Sequence, residues 1–158
     1  MRLISHRGNI NGRIESEENN PSYIDKSISS GYEVESDVWL INDVLWLGHD
    51  IPQYKIDISW IVERSDKLWI HCKDIMSAVK IRELDESFRI FCHSNDPFVL
   101  VSTGHIWVHD LSLEFDKHAI IPLLDQKELD LYDHREVYAF CTDYVFSLDS
   151  MLRGKRKQ

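Results

Sequence analysis

Apolar and polar residues alternate in short blocks along most of the chain. Residues 2–5 form a brief apolar run that stops at His6-Arg7-Gly8, which reads as a strand ending in a turn. A polar stretch covers 9–20. Pro21 then suits the first turn of a helix capped by Asn19 or Asn20, running to about Ser30, with Gly31 at its end. Over 32–40, Val34, Ser36 and Val38 alternate with Glu35, Asp37 and Trp39, which predicts a strand with carboxylates on one face. Asn42-Asp43 predicts a tight turn, and 44–47 a return strand. Asp57 is expected to cap a short helix to about Arg64, and Asp74 a longer one through Leu84. Strands are predicted at 68–72 and 88–92. Beyond His93 helices become scarce: 98–102, 106–109, 119–124 and 138–141 read as strands, with helices expected at 126–133 and 147–153.

The order strand, helix, strand, helix, then mostly strands, argues for a parallel sheet. About eight major strands suffice to close a barrel. The expected fold is therefore α/β, a compact (β/α)8 TIM-type barrel with several outer helices reduced or missing, because 158 residues fall short of the roughly 200–250 such barrels use. An open α/β sheet is the alternative. One domain over 1–150 is expected, followed by a basic C-terminal tail at 151–158 carrying Arg153, Lys155, Arg156 and Lys157.

Charge narrows the functions. A net charge of −9 disfavours nucleic acid and anionic membrane surfaces as partners. The three cysteines, Cys72, Cys92 and Cys141, show no CxxC spacing and sit in apolar runs, as small buried hydrophobes in a reducing compartment would. No run of 18 apolar residues occurs and the start of the chain lacks an apolar leader, so a cytoplasmic protein is expected.

The polar residues gather where strands end: His6-Arg7, His49-Asp50, His71 and Lys73, His93, and Thr142-Asp143. In parallel α/β proteins these ends converge on one rim, where sites form. Glu35 and Asp37, two residues apart on a strand, point the same way at about 7 Å. Adjacent carboxylates repel unless a cation or proton lies between them, and hard oxygens suit Mg2+, Ca2+ or Mn2+. Two solvated acids on an exposed strand face are the alternative.

His6-Arg7-Gly8, Glu18-Asn19, Glu35-Ser36-Asp37 and His49-Asp50, in that order and spacing, resemble the signature of the glycerophosphodiester phosphodiesterase family, a phospholipase-C-like phosphodiesterase group. Thr142-Asp143-Tyr144 is similar to the family's closing strand. The resemblance covers residues 3–50 well and 75–140 poorly. It implies a (β/α)8 barrel with a divalent cation, His6 and His49 as general acid and base, Arg7 and Lys73 on the substrate phosphate, and Glu35, Asp37 and Glu18 at the metal. Asn19, Asp50, His71 and His93 are further pocket candidates. His71 stands where the family carries a metal-binding Glu; imidazole suits Mn2+ or Zn2+ better than Mg2+ or Ca2+.

The expected function is metal-dependent hydrolysis of a soluble small-molecule phosphodiester, a glycerophosphodiester or a sugar or polyol diester. One rival is a non-catalytic module that binds a phosphate ligand on the same barrel. Another is intramolecular transfer of the phospholipase D toxin kind, for which no disulfide pattern or apolar membrane loop speaks. Strand faces left bare by missing helices would allow a homodimer.

Overall fold

The structure is a computed structural model that describes residues 1–131 and 136–155. Ten strands form one mixed sheet: β1 (Arg2–His6), β2 (Glu33–Ile41), β3 (Val44–Leu47), β4 (Tyr54–Ile56), β5 (Leu68–Cys72), β6 (Arg89–Phe91), β7 (Phe98–Leu100), β8 (Ile106–Val108), β9 (Ala119–Leu123) and β10 (Ala139–Thr142). Among the described residues the helices are α1 (Pro21–Ser29), α2 (Ile58–Val62), α3 (Ile75–Leu84), α4 (Val145–Lys155) and a 3-10 turn at Gln126–Leu131. Tail residues 156–158 and His134 lie outside the described residues, whereas 151–155 continue α4.

The strands run in space as β6-β5-β2-β1-β10-β9-β8, all parallel. β7 returns antiparallel along β8, and the far end of β2 turns back through β3 and β4. The sheet curls into a half-barrel. The expected (β/α)8 TIM-type barrel is therefore corrected. A parallel crossover needs a dozen or more residues, and only residues 101–105 separate β7 from β8, so these strands must form a hairpin. From β6 to β10 the chain supplies no described α-helix, so the βα alternation fails there. No strand ladder joins β6 to β7 or β8 among the described residues. Ser102 clips that seam instead: its N–H donates to Ile90 O at 2.9 Å, while its hydroxyl donates to Phe88 O and accepts from Ile90 N.

Local chemistry accounts for the elements that hold the site. Asn20 caps α1 by accepting from Ser22 N, and Gly31 follows it at φ 95°. Asn42 and Asp43 both take left-handed φ, as a two-residue hairpin turn demands. Asp74 accepts from Ser77 N at 2.7 Å to cap α3, and its other oxygen accepts from Leu40 N in β2, tying helix to sheet. β4 is a strand the sequence pattern does not reveal; three residues carry too little alternation.

Packing divides by strand parity. Val34, Val38, Ile70 and Ile90 face outward onto Ile24 of α1, Ile61 of α2 and Ile81 of α3. Ile121, Leu123 and Phe140 pack under Leu148 of α4 and Leu129. The concave face holds Ile4, Trp69, Phe91, Trp107, Ile120, Ala139 and Cys141. At the N-terminal end of the strands Glu33 pairs with Arg2 and with Arg89 at 2.6 Å, and accepts from Trp69 Nε1 at 2.6 Å. These ionic bonds and fully buried Trp69 close the floor of the half-barrel. Solvent reaches it from the opposite rim, where His6, Glu35, Asp37 and His71 end or follow the same inward parity.

Candidate active site

The rim is set by backbone geometry at two turns. Arg7 leaves β1 with φ 52° and Gly8 with φ 91°; a Cβ at Gly8 would stand 2.8 Å from Tyr23 Cδ1, so this position is reserved for glycine. Arg7 N–H donates to Glu35 O, and Asn19 N–H to Arg7 O, which locks the loop that joins β1 to α1 against β2. Asn19, at φ 62°, accepts from Asp37 N and Ser36 Oγ and donates from Nδ2 to Asp37 Oδ2 at 2.9 Å. Asparagine tolerates the left-handed region and supplies both polarities, which explains its place here.

Two acid–histidine groups flank Arg7. In the first, His6 Nδ1 lies 2.8 Å from Asp143 Oδ1, Asn9 Nδ2 donates to Asp143 and to Glu18 Oε1, and Glu18 accepts from Arg7 Nη1 and Arg13 Nε. His6, Glu18 and Asp143 offer atoms within 4.8 Å of one another, but protein donors already fill them. The bond to Asp143 fixes the His6 tautomer: Nδ1–H donates and Nε2 turns to the cavity, 3.8 Å from Glu35 Oε2.

The second group is Glu35, Asp37 and His71, all buried, with ligand atoms likewise within 4.8 Å. Asp37 Oδ1 is 2.8 Å from His71 Nδ1 and 3.5 Å from Lys73 Nζ, and Oδ2 is 3.0 Å from Arg7 Nε. Close as they are, the Arg7 Nε and His71 contacts lack hydrogen-bond alignment, and Glu35 Oε2, Asp37 Oδ1 and His71 Nε2 are buried without a partner. Such orphaned atoms are costly unless something fills them. The fields on the two carboxylates differ. Burial, with Asp37 beside it, raises Glu35 above the usual carboxylate range despite His6, Arg7 and His71. Burial also pushes Asp37 up, but His71, Arg7 and Lys73 outweigh it and hold Asp37 well below that range. A divalent cation fits here: it would offset the burial and the neighbouring Asp37 charge that raise Glu35, and satisfy the orphaned oxygens. One imidazole and two carboxylates suit Mn2+ or Zn2+.

A cavity of about 640 Å3 opens above these groups, lined by His6, Arg7, Glu35, His49, Lys73 and His93, among others. His49 follows Gly48, whose φ of 146° and missing side chain are both needed, since a Cβ would fall 2.1 Å from Ile51 O. His49 Nδ1 is 2.7 Å from Asp50 Oδ1. Burial, helped by Arg7 and Lys73, lowers the His49 pKa despite Asp37 and Asp50. Along the opposite wall Phe91, His71, His93 and His109 lie ring against ring, with centroids 5.0, 4.5 and 4.3 Å apart in that order. Burial, with His71 and His109 nearby, lowers His93 to about 4, and burial lowers His109 too. Both shifts favour the neutral ring.

The structure thus gathers His6, Arg7, Glu35, His49, His71, Lys73 and His93 around one cavity. Asn19 sits behind Asp37, and exposed Asp50 orients His49. Glu18 stands on the far side of Arg7 from Glu35 and Asp37, within the first group. Sequence reasoning did not single out Asn9, which holds Glu18 and Asp143 together; nothing in its neighbourhood marks it. Asp143 was named only as the polar end of the last strand; the structure adds its role, the partner of His6 Nδ1 at 2.8 Å. A different hollow of about 550 Å3, lined by Phe98, Ile106, Leu113 and Phe115, lies on the convex side where a barrel would place a helix, far from this chemistry. No protein-family model matches the chain, and no curated protein is significantly similar to it. Among the described residues no helix is long and apolar enough to cross a membrane.

Proposed function

We propose that the protein is a metal-dependent phosphodiesterase of the glycerophosphodiester phosphodiesterase kind, acting on a small soluble phosphodiester. The observation that carries this reading is the convergence of His6, with Asp143 behind it, and the orphaned Glu35–Asp37–His71 group on one cavity that also holds Arg7, His49 and Lys73. A catalytic imidazole, a candidate cation site and positive charge for a phosphate are the parts that phosphoryl transfer requires. Glu35, Asp37 and His71 would hold the cation, which when bound polarises a phosphoryl oxygen.

The side chains divide the work. Lys73 and Arg7 attract the diester anion. Burial beside two cations lowers the His49 pKa, which suits it to the general base that takes a proton from the attacking hydroxyl or water. In this step His6 carries a second proton on Nε2 and gives it to the leaving alkoxide, while Asp143 accepts from Nδ1–H and fixes the ring. The His93 and His109 rings form the wall beside the leaving alcohol.

The test is hydrolysis of bis(p-nitrophenyl) phosphate and of glycerophosphodiesters by chelator-treated protein resupplied with Mn2+, Zn2+, Mg2+ or Ca2+. Metal-dependent turnover that disappears in His6→Ala supports the proposal. Metal and phosphate binding measured by calorimetry, without turnover of any diester, would replace it with the phosphate-binding module.

A further inference from the structure

One pair of reactive groups takes no part in this chemistry. Cys72 ends β5, and Cys92 directly follows β6. The parallel register pairs His71 with Phe91, so one residue further Cys72 stands opposite Cys92. Strand parity turns both thiols away from the cavity that His71 and His93 line. Cys72 packs with Ile70, Ile81 and Ile90 beneath α3 and is buried; Cys92 is exposed. The two thiols interact directly, and Ser77 of α3 also reaches Cys72. Cys92 lies beyond the last paired residue of β6, so the ladder does not hold it apart from its neighbour. Cys141 is buried on the concave face, in a different cluster.

We propose that Cys72 and Cys92 form a thiol modification site: Cys92 is oxidised by a hydroperoxide, and Cys72 resolves it to an intrachain disulfide. An accessible thiol poised beside a second, resolving cysteine is the arrangement that redox-responsive sites use. In the first step the Cys92 thiolate attacks one peroxide oxygen, the O–O bond breaks, and the departing hydroxide is protonated to water, leaving a sulfenic acid. In the second the Cys72 sulfur attacks the Cys92 sulfur, the S–O bond breaks, and the hydroxide leaves with the Cys72 proton as a second water. Two thiols lose two electrons, and one hydrogen peroxide becomes two waters. The bridge joins the ends of β5 and β6 directly behind His71 and His93. This proposal rests on the strand register and exposure alone, independently of the phosphodiesterase reading.

The experiment treats the reduced full-length chain with hydrogen peroxide, alkylates the remaining thiols after denaturation, and reads intact mass and peptide maps. The expected result is a loss of about two mass units before alkylation, one alkylated cysteine (Cys141), a linked Cys72–Cys92 peptide pair, and full reversal by dithiothreitol. Cys72→Ser and Cys72→Ala should stop at a Cys92 sulfenic acid that dimedone captures; Cys92→Ser should leave Cys72 unoxidised. The proposal is overturned if wild-type Cys92 stays reduced, passes to sulfinic acid as fast as in the Cys72 variants, or bridges to a second chain.

Discussion

The two acid–histidine groups on either side of Arg7 contain similar residues and differ in what remains unsatisfied. Around Glu18 and Asp143, and at His6 Nδ1, the close contacts are hydrogen bonds within the protein. Around Glu35, Asp37 and His71, three buried polar atoms have none. Proximity of acids and histidines alone therefore does not identify a cation site. The first group is a scaffold that fixes the orientation of His6 and Arg7. The second keeps buried polar atoms that no aligned hydrogen bond satisfies, and its two carboxylates are driven in opposite directions by their surroundings.

Substitutions can break this distinction in order of effect. His6→Ala should lower kcat by about 10²–10⁴-fold on any diester the protein turns over, without loss of metal binding. His71→Ala or Glu35→Ala should weaken Mn2+ or Zn2+ affinity by more than the roughly 100-fold that outer-shell changes cost, as measured by titration calorimetry. Glu18→Gln should leave that affinity unchanged while lowering stability by about 1–3 kcal/mol, because Arg7 and Asn9 donate to different Glu18 oxygens and the amide keeps only one of them. Equal loss of metal affinity in Glu18→Gln and Glu35→Ala would erase the contrast.

The smallest effect concerns pH. His93 has its folded pKa depressed to about 4, against an ordinary 6.5. The unfolded chain therefore binds the proton first as pH falls, and the stability tied to neutral His93 is present above 6.5 and lost between 6.5 and about 4. His93→Gln should flatten the decline of Tm across that window relative to the wild type, measured by thermal unfolding with chelator present. An unchanged slope would show that His93 is not the group burdened by the buried wall.

How much of this was legible in the sequence depends on the range of the interaction. The alternation of 32–40 placed Glu35 and Asp37 on one face but left open whether it was solvated, and the structure buries both. Asn20, Asp74 and the Asn42-Asp43 turn were readable because caps and turns are local chemistry. The second half misled at the level of topology. The strands at 98–102 and 106–109 were recognised, but not that their short connection forces a hairpin, which removes the eighth parallel strand. Cys92 was expected to be buried like its neighbours; it lies past the end of β6, and its thiol is exposed. The His6–Asp143 bond spans 137 positions of sequence and is set by strand order, which local patterns do not encode.

That strand order has a consequence for how the protein comes into being. β1, the first strand made, lies between β2 and β10, and its ladder to β10 pairs Arg2 with Ala139. During synthesis β1 must wait, one edge unpaired, until residues 139–142 have left the ribosome. His6 gains its fixed orientation at the same late moment, so Glu35 and Asp37 of β2 can take their places well before the imidazole is positioned. Such long-range closure also makes folding slow for a domain of this size.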